Sequence, residues 1–338
     1  MPGGISERGE GMMDRRTAIL SGAASAALLS RPVRAQGDEL RLLTGWDDRS
    51  EVVIQVVDPL MVALLAGAGQ GMSVRRFGPE TIPPFEQLDP VGRGVFDLLF
   101  TNGAYHYNQS AVAMAVEAFD VTPRTLRESG LWDYVDDHYR RFGLKLLAYL
   151  VDPNGYNLIL KEPLTDTALA GRRIRGTPVY HPLIEALGGA PVVLPASEIY
   201  PALERGVVDG AAWPLVGPYG FRWFEVSRYL MRPAFGRVGY PVFISLARWE
   251  ALPQAQRDGL VQAGADFERS VGAIFDAMIA TEEAALVGEG MGVTRLDEAR
   301  VATIATAWSE GVLGLAGQQS PDEVAEMTEI GRGAGLLP

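Results

Sequence analysis

The 338-residue chain contains no cysteine. That removes disulfides, thiolate nucleophiles and thiolate metal sites together, and it is compatible with an oxidising compartment without requiring one. Histidine is scarce too: His106, His138 and His181 are the full set. No pair of them has the spacing of a helical metal site and no His-Glu-x-x-His motif occurs, so nothing signals a zinc hydrolase. Past residue 35 there is no Gly-x-Ser-x-Gly elbow, and no Walker phosphate loop occurs anywhere. No later stretch is long and apolar enough for a transmembrane helix. There is no internal repeat and no low-complexity linker.

Positive charge is short as well. The formal net charge is −12, and the first 35 residues hold five Arg against three acids, so the remainder stands at −14. Such a body is a poor partner for nucleic acid, whose phosphates demand a basic face, and for an anionic membrane surface. An acidic protein that binds an anion must concentrate positive charge locally, which draws attention to any buried arginine.

What is present begins with an address. Asp14-Arg15-Arg16-Thr17 precedes the small, apolar run Ala18–Leu29, followed by Arg31-Pro32-Val33-Arg34-Ala35. Charged, apolar and cleavage regions in that order read as a signal peptide cut after Ala35. The apolar run is too short to span a bilayer. Arg15-Arg16 resembles a twin-arginine signal, although Ala18 stands where a bulky apolar residue is usual. Met12 and Met13 offer alternative starts. The expectation is a soluble periplasmic protein.

The body alternates strand and helix signals. Strands are expected at Leu40–Trp46, Ser73–Phe77, Gly94–Thr101, Leu144–Leu150, Gly171–Arg175, Pro191–Leu194 and Val207–Trp213. Helices are expected from Arg49 to Ala66, Pro182 to Leu187 and Ile199 to Arg205. The glycines at 67, 69 and 71 follow a helix rather than open one, so they read as a helix stop and not a nucleotide loop. Leu260, Ala263, Phe267, Val271, Ile274 and Met278 share one face of a long helix of about seven turns; Val301, Ile304, Trp308 and Val312 make a second such face. This pattern means an α/β architecture. In open sheets of that kind ligands sit beyond the carboxyl ends of the strands. The candidate loops are therefore Trp46, Asn102–Tyr107, Tyr156–Asn157 and Trp213–Pro214. His138 reads as a surface residue and His181 as structural.

Gly171-Arg172-Arg173-Ile174-Arg175, followed by Glu198-Ile199-Tyr200-Pro201-Ala202-Leu203-Glu204-Arg205-Gly206-Val207-Val208-Asp209-Gly210, resembles the solute-binding subunits of tripartite ATP-independent periplasmic (TRAP) transporters, the DctP family. Phe77-Gly78-Pro79-Glu80, Phe85-Glu86-Gln87-Leu88, Gly94-Val95-Phe96-Asp97 and Trp249-Glu250-Ala251-Leu252-Pro253 extend the resemblance over most of the chain. It implies a two-lobed periplasmic-binding-protein-like fold, each lobe a mixed sheet flanked by helices, with a long helix spanning both. Expected boundaries are 36–151 plus about 244–282 for the first lobe, and 152–243 plus about 283–338 for the second, with bends near Val151 and Ser245. The resemblance also implies an interlobe cleft, a small organic acid as ligand and TRAP permease membrane subunits as partners.

In that family the Arg ending the Gly-x-x-[Ile/Leu]-Arg strand usually holds the ligand carboxylate; here it is Arg175. A planar guanidinium can meet a carboxylate through two parallel hydrogen bonds. The next family contact falls after the Val-Asp-Gly strand, at Trp213. Relatives that bind 2-oxo acids through a metal carry Glu just before that Trp; this chain has Ala212, so no metal or other cofactor is expected. Relatives that bind sialic acid carry a second Arg after the strand equivalent to Leu144–Leu150, where this chain offers Tyr156 and Asn157. One cation among the aromatics Trp46, Tyr105, Tyr156, Trp213 and Tyr240, with His106 near the mouth, suits a monocarboxylate with an apolar or aromatic body. A ligand sensor that presents its closed form to a receptor, and an exported hydrolase or lyase, are the alternatives.

Overall fold

The computed structural model describes residues 39–69 and 71–338. The leader assigned to residues 1–35, with its cleavage after Ala35, lies outside them. Among the described residues eleven strands run in chain order: β1 Glu39–Thr44, β2 Ser73–Phe77, β3 Leu98–Phe100, β4 Leu144–Asp152, β5 Tyr156–Leu160, β6 Arg173–Arg175, β7 Ala190–Val192, β8 Gly210–Pro214, β9 Tyr229–Arg232, β10 Val238–Ser245 and β11 Gly292–Arg295. They form two sheets, ordered β2-β1-β3-β10-β4 and β11-β9-β5-β8-β6-β7. Each sheet is mixed. In the first, β1 is parallel to β2 and β3 while β10 runs antiparallel to β3 and β4. In the second, β6 is parallel to β7 and β8, and β5 is antiparallel to β8 and β9.

The chain crosses between sheets from β4 to β5 and from β9 to β10, and the two crossings are tied together. Tyr156 N–H donates to the Phe235 carbonyl at 2.8 Å and Phe235 N–H returns to Tyr156 at 3.0 Å. The second bend is therefore not at Ser245. Because β10 runs antiparallel along β4, Ser245 pairs with Leu144 at the far end, and Val238 pairs with Asp152 at the crossing.

β4 is buried along its whole length, which is why it reads as a continuous apolar run. The long helix covers it, running Gln254–Gly288, or 35 residues. That exceeds the expected seven turns. The apolar signal fades near Met278, but the face continues through Glu282 and Leu286, both buried. Gly264 lets this helix approach the Leu147 carbonyl, with no room for a Cβ. The expected strand over Gly94–Thr101 shortens to β3, since Val95 is exposed and Asp97 is tied to Arg41. Val301 is likewise exposed, in a short helix of its own before Ile304–Gln319.

The C-terminal residues do not belong to the second sheet alone. Helix Ile304–Gln319 packs on helix His181–Ala186 and also on Val116–Ala118, while Pro321–Gly333 packs on helix Leu131–Arg140 beside the first sheet. Its Gly331 rests against the Phe119 ring. Among the described residues no helix is long and apolar enough to cross a membrane.

Candidate binding site

The two sheets present their carboxyl edges to each other. From the first come Trp46, just past β1, Asn102 and Tyr105, just past β3, and Val238 and Tyr240 at the start of the antiparallel β10. From the second come Arg175 at the end of β6, Thr177 and Tyr180 beyond it, Trp213 and Pro214 at the end of β8, and Tyr156 at the start of the antiparallel β5. These residues line one small cavity of about 20 Å³, room for about one water. That is the crevice position expected of open α/β sheets.

Arg175 dominates the electrostatics. It has no exposed surface. Its Nε and Nη2 donate to the Leu194 carbonyl at 2.9 and 2.8 Å, and Nη1 donates to the Ala212 carbonyl at 3.3 Å. A guanidinium carries five donors, so part of its capacity is unspent. Among the described residues no Asp or Glu forms a salt bridge with it. Burial lowers its pKa from the ordinary 12.5, opposed by the nearby hydroxyls of Tyr105 and Tyr180. A buried cation without a counter-ion is costly. The Trp213 ring lies 5.1 Å from the guanidinium carbon, close enough for a cation–π contact.

The remaining walls are aromatic. Trp46 packs against Tyr105 and Tyr240 with ring centroids at 5.5 and 5.6 Å. Across the cavity Tyr156 meets Tyr180 edge-on at 4.8 Å, and Trp213 is braced by Trp223 at 5.3 Å. Burial pushes the Tyr105 hydroxyl up to about 12, so it stays protonated and able to donate.

The structure places Arg175, Trp213, Tyr156, Tyr105, Trp46 and Tyr240 on this one cavity. Two candidates point elsewhere. Asn157 is not in a loop; it is the second residue of β5, so its side chain leaves on the face opposite Tyr156 and accepts from Arg232. His106 ends the turn Gly103–His106 behind Tyr105, where its Nε2 bonds the Thr101 hydroxyl at 2.8 Å. Burial holds its pKa down to about 3, so the ring is neutral. His138 is likewise buried rather than on the surface, with Nε2 2.7 Å from the Ser110 hydroxyl.

Sequence reasoning missed Thr177, Tyr180 and Glu117, and reached Asn102 only as part of its loop. Asn102 had a signal: an Asn-Gly after a buried strand marks a turn, and its Oδ1 indeed accepts from Ala104 N–H at 3.0 Å. Glu117 had none. It is the lone acid in the apolar segment 111–119 and would read as a solvent-facing helix position, yet it is 1% exposed. Its carboxylate accepts from Asn102 Nδ2 and the Tyr156 hydroxyl, both at 2.7 Å. No group of His, Asp and Glu suited to a metal ion occurs among the described residues.

Residues 102–312 match the DctP family, described as bacterial extracellular solute-binding protein, family 7. A C4-dicarboxylate-binding periplasmic protein, DctP of Rhodobacter capsulatus, is 33% identical over 117 residues, 33% of this chain and 35% of that protein. This chain thus aligns with about a third of that relative's length. Among solved structures, a TRAP periplasmic solute-binding protein from Desulfovibrio salexigens with bound orotic acid superposes with a TM-score of 0.76 at 18% identity, covering 88% of this chain and 98% of that one. A marine-metagenome TRAP solute-binding protein specific for aromatic acid ligands, in complex with metahydroxyphenylacetate, gives 0.73 at 20% identity, covering 88% and 98%. At these identities the structures establish the fold, and the family match establishes the lineage. The chain belongs to the DctP family of bacterial extracellular solute-binding proteins.

Proposed function

We propose that this protein captures a small organic monocarboxylate with an apolar or aromatic body between its two sheets and delivers it, outside the cytoplasm, to the membrane permease of a TRAP transporter. The observation that carries this reading is the fully buried Arg175 guanidinium, facing the cavity with no acidic partner among the described residues. A bound carboxylate supplies the missing charge through charge-assisted hydrogen bonds, each contributing on the order of 1.5–3 kcal/mol. One cation favours one carboxylate. The aromatic walls favour a planar or apolar remainder, consistent with the orotate and aromatic-acid ligands of two proteins that share the fold. The doubled crossing near Asp152 and Val238 serves as the hinge on which the halves open and close.

Calorimetric titration of purified protein with benzoate, 3-hydroxybenzoate, orotate, pyroglutamate and succinate tests this. Binding of one or more ring monocarboxylates, weaker binding of succinate and loss of binding in Arg175→Ala support it. Undiminished affinity in Arg175→Ala, or preference for succinate, overturns it.

A further inference from the structure

Glu117 sits directly behind the cavity wall, bonded to two of the residues that line it. Its Oε1 accepts from Asn102 Nδ2 at 2.7 Å and from the Gly239 N–H at 3.2 Å. Its Oε2 accepts from the Tyr156 hydroxyl at 2.7 Å. Asn102 and Tyr156 both line the cavity. The backbone is pinned from the other side, where Trp308 Nε1 donates to the Glu117 carbonyl at 2.8 Å.

The groups that face this carboxyl come from every neighbouring element. Asn102 comes from the turn after β3, Tyr149 from β4, Tyr156 from β5, Tyr180 from the turn Pro178–Tyr180, and the Gly239 amide and Tyr240 from β10. None is a cation. Arg237 and Asp120, a charged pair, line a surface recess that Glu117 also borders, and Arg237 is held by Asp120 and the Pro153 carbonyl. Burial raises the Glu117 carboxyl to about 8.

The direction of one hydroxyl proton follows from the state of this group. An ionised Glu117 can only accept, so Tyr156 must donate to it. A protonated Glu117 can donate to the Tyr156 oxygen, which frees the tyrosine proton to turn toward Tyr180 and the cavity. An anion seated on Arg175 favours the second arrangement twice over. It repels a second negative charge close by, and it gains from donors aimed at it.

We propose that Glu117 is a positioning residue that links anion binding to the uptake of one proton, drawn from solvent onto its carboxylate, and that this reverses the Glu117–Tyr156 hydrogen bond so that Tyr156 donates toward the ligand cavity. This rests on the reading of the cavity as a carboxylate site. The proton reaches Glu117 from the recess beside Arg237, and the net charge of the closed site changes by the anion and the proton together. Affinity is flat with pH while Glu117 is protonated in the free protein. It falls roughly tenfold per pH unit above that point, until the bound form also loses its proton.

The test is calorimetry with the ring monocarboxylate that binds most tightly, in buffers of different ionisation enthalpy, above and below the Glu117 value. Expected is an uptake of close to one proton on the alkaline side and of none on the acid side. Glu117→Gln, which can donate to Tyr156 and accept from Asn102 and Gly239, should bind with pH-independent affinity and no proton uptake. Buffer-independent heats in the wild type on the alkaline side overturn the proposal, as does proton uptake that survives in Glu117→Gln. Failure of every monocarboxylate to bind on the acid side overturns the carboxylate reading, and this proposal falls with it. A ligand-free measurement stands apart from both: in carbon-13 glutamate-labelled protein, one side-chain carboxyl should titrate far above the ordinary range and vanish in Glu117→Gln. A Glu117 carboxyl that titrates near 4.5, the ordinary value, removes the switch whatever binds.

Discussion

Glu268, midway along the long helix, forms a paired contact with Arg127: its Oε1 accepts from Nη2 at 3.1 Å while Oε2 accepts from Nε. The same carboxylate takes the Trp132 indole N–H at 3.0 Å and the Tyr149 backbone N–H at 2.7 Å. One buried acid thus ties the helix to β4 and to the helical hairpin before it. Removing it leaves Arg127 and two buried donors unpaired. Glu268→Ala should cost about 3–5 kcal/mol, the range for breaking one side of a buried pair. Glu268→Gln should cost less, because it keeps the acceptor for Tyr149. Urea unfolding of both variants checks the order; equal losses would mean that the neutral acceptor recovers nothing and that the charge carries the whole effect.

The same helix crosses Asp58–Ala68 at a point where neither chain has a side chain. A Cβ at Gly259 would sit inside the Gly67 carbonyl oxygen, and a Cβ at Gly67 would overlap the Gly259 carbonyl. Alanine has the better helix propensity by about 0.8–1 kcal/mol, so a solvent-facing site would gain from the change. Here overpacking of about 1–3 kcal/mol or more should exceed that gain. Gly259→Ala should lower the urea midpoint, while Gly272→Ala, with open space around its Cβ position, should raise it. A stabilised Gly259→Ala would show that the helices can part without loss.

Much of this architecture was legible because its signals are local. β2 and the carboxyl end of β6 lie where alternation, glycines and the Arg-ending motif put them. The crossings were harder. β5, β9 and β10 gain their strand character from pairing across 50 residues or more of chain, as Tyr156 does with Pro214, and nothing near Tyr156-Asn157 distinguishes a strand start from a loop. That is why Asn157 was expected beside Tyr156 when the pleat sends it away. Buried acids were the least legible of all. Glu117, Glu268 and Glu282 sit in stretches where an acid ordinarily marks the wet face, and only the tertiary donors around them make burial tolerable.

Those acids set the pH dependence of stability. Burial raises Glu117 to about 8, Glu282 to about 7 and Asp152 to about 6. The folded state holds protons there that the unfolded chain has released. Their contribution is fully present below the ordinary carboxylate values, and it is lost as pH rises through the folded ones. His106 and His138 act in the opposite direction. Burial lowers them to about 3 and about 4, so their contribution holds above the ordinary 6.5 and is lost as pH falls below it. Between neutrality and the Glu117 value only the acids titrate, so stability should decline there by up to about 1.4 kcal/mol per pH unit for each proton. Urea midpoints across that window should fall in the wild type and fall less steeply in both Glu117→Gln and Glu282→Gln. A flat wild-type profile would mean that water reaches these carboxyls.

Arg175 should behave unlike Arg127 when replaced. Arg127 loses a carboxylate partner; Arg175 has none among the described residues and carries its desolvation uncompensated. Arg175→Met keeps much of the stem volume against Trp213 and deletes the charge. The relief offsets the two carbonyls, Leu194 and Ala212, that lose their donor at about 1–3 kcal/mol each. The ligand-free variant should therefore melt within about 2 kcal/mol of wild type, or above it, while a ring monocarboxylate no longer shifts its melting. Arg175→Lys should restore a partial shift, since an ammonium supplies charge without the planar fork. Were Arg175→Met to unfold as badly as Glu268→Ala, the guanidinium would belong to the scaffold and not to the ligand.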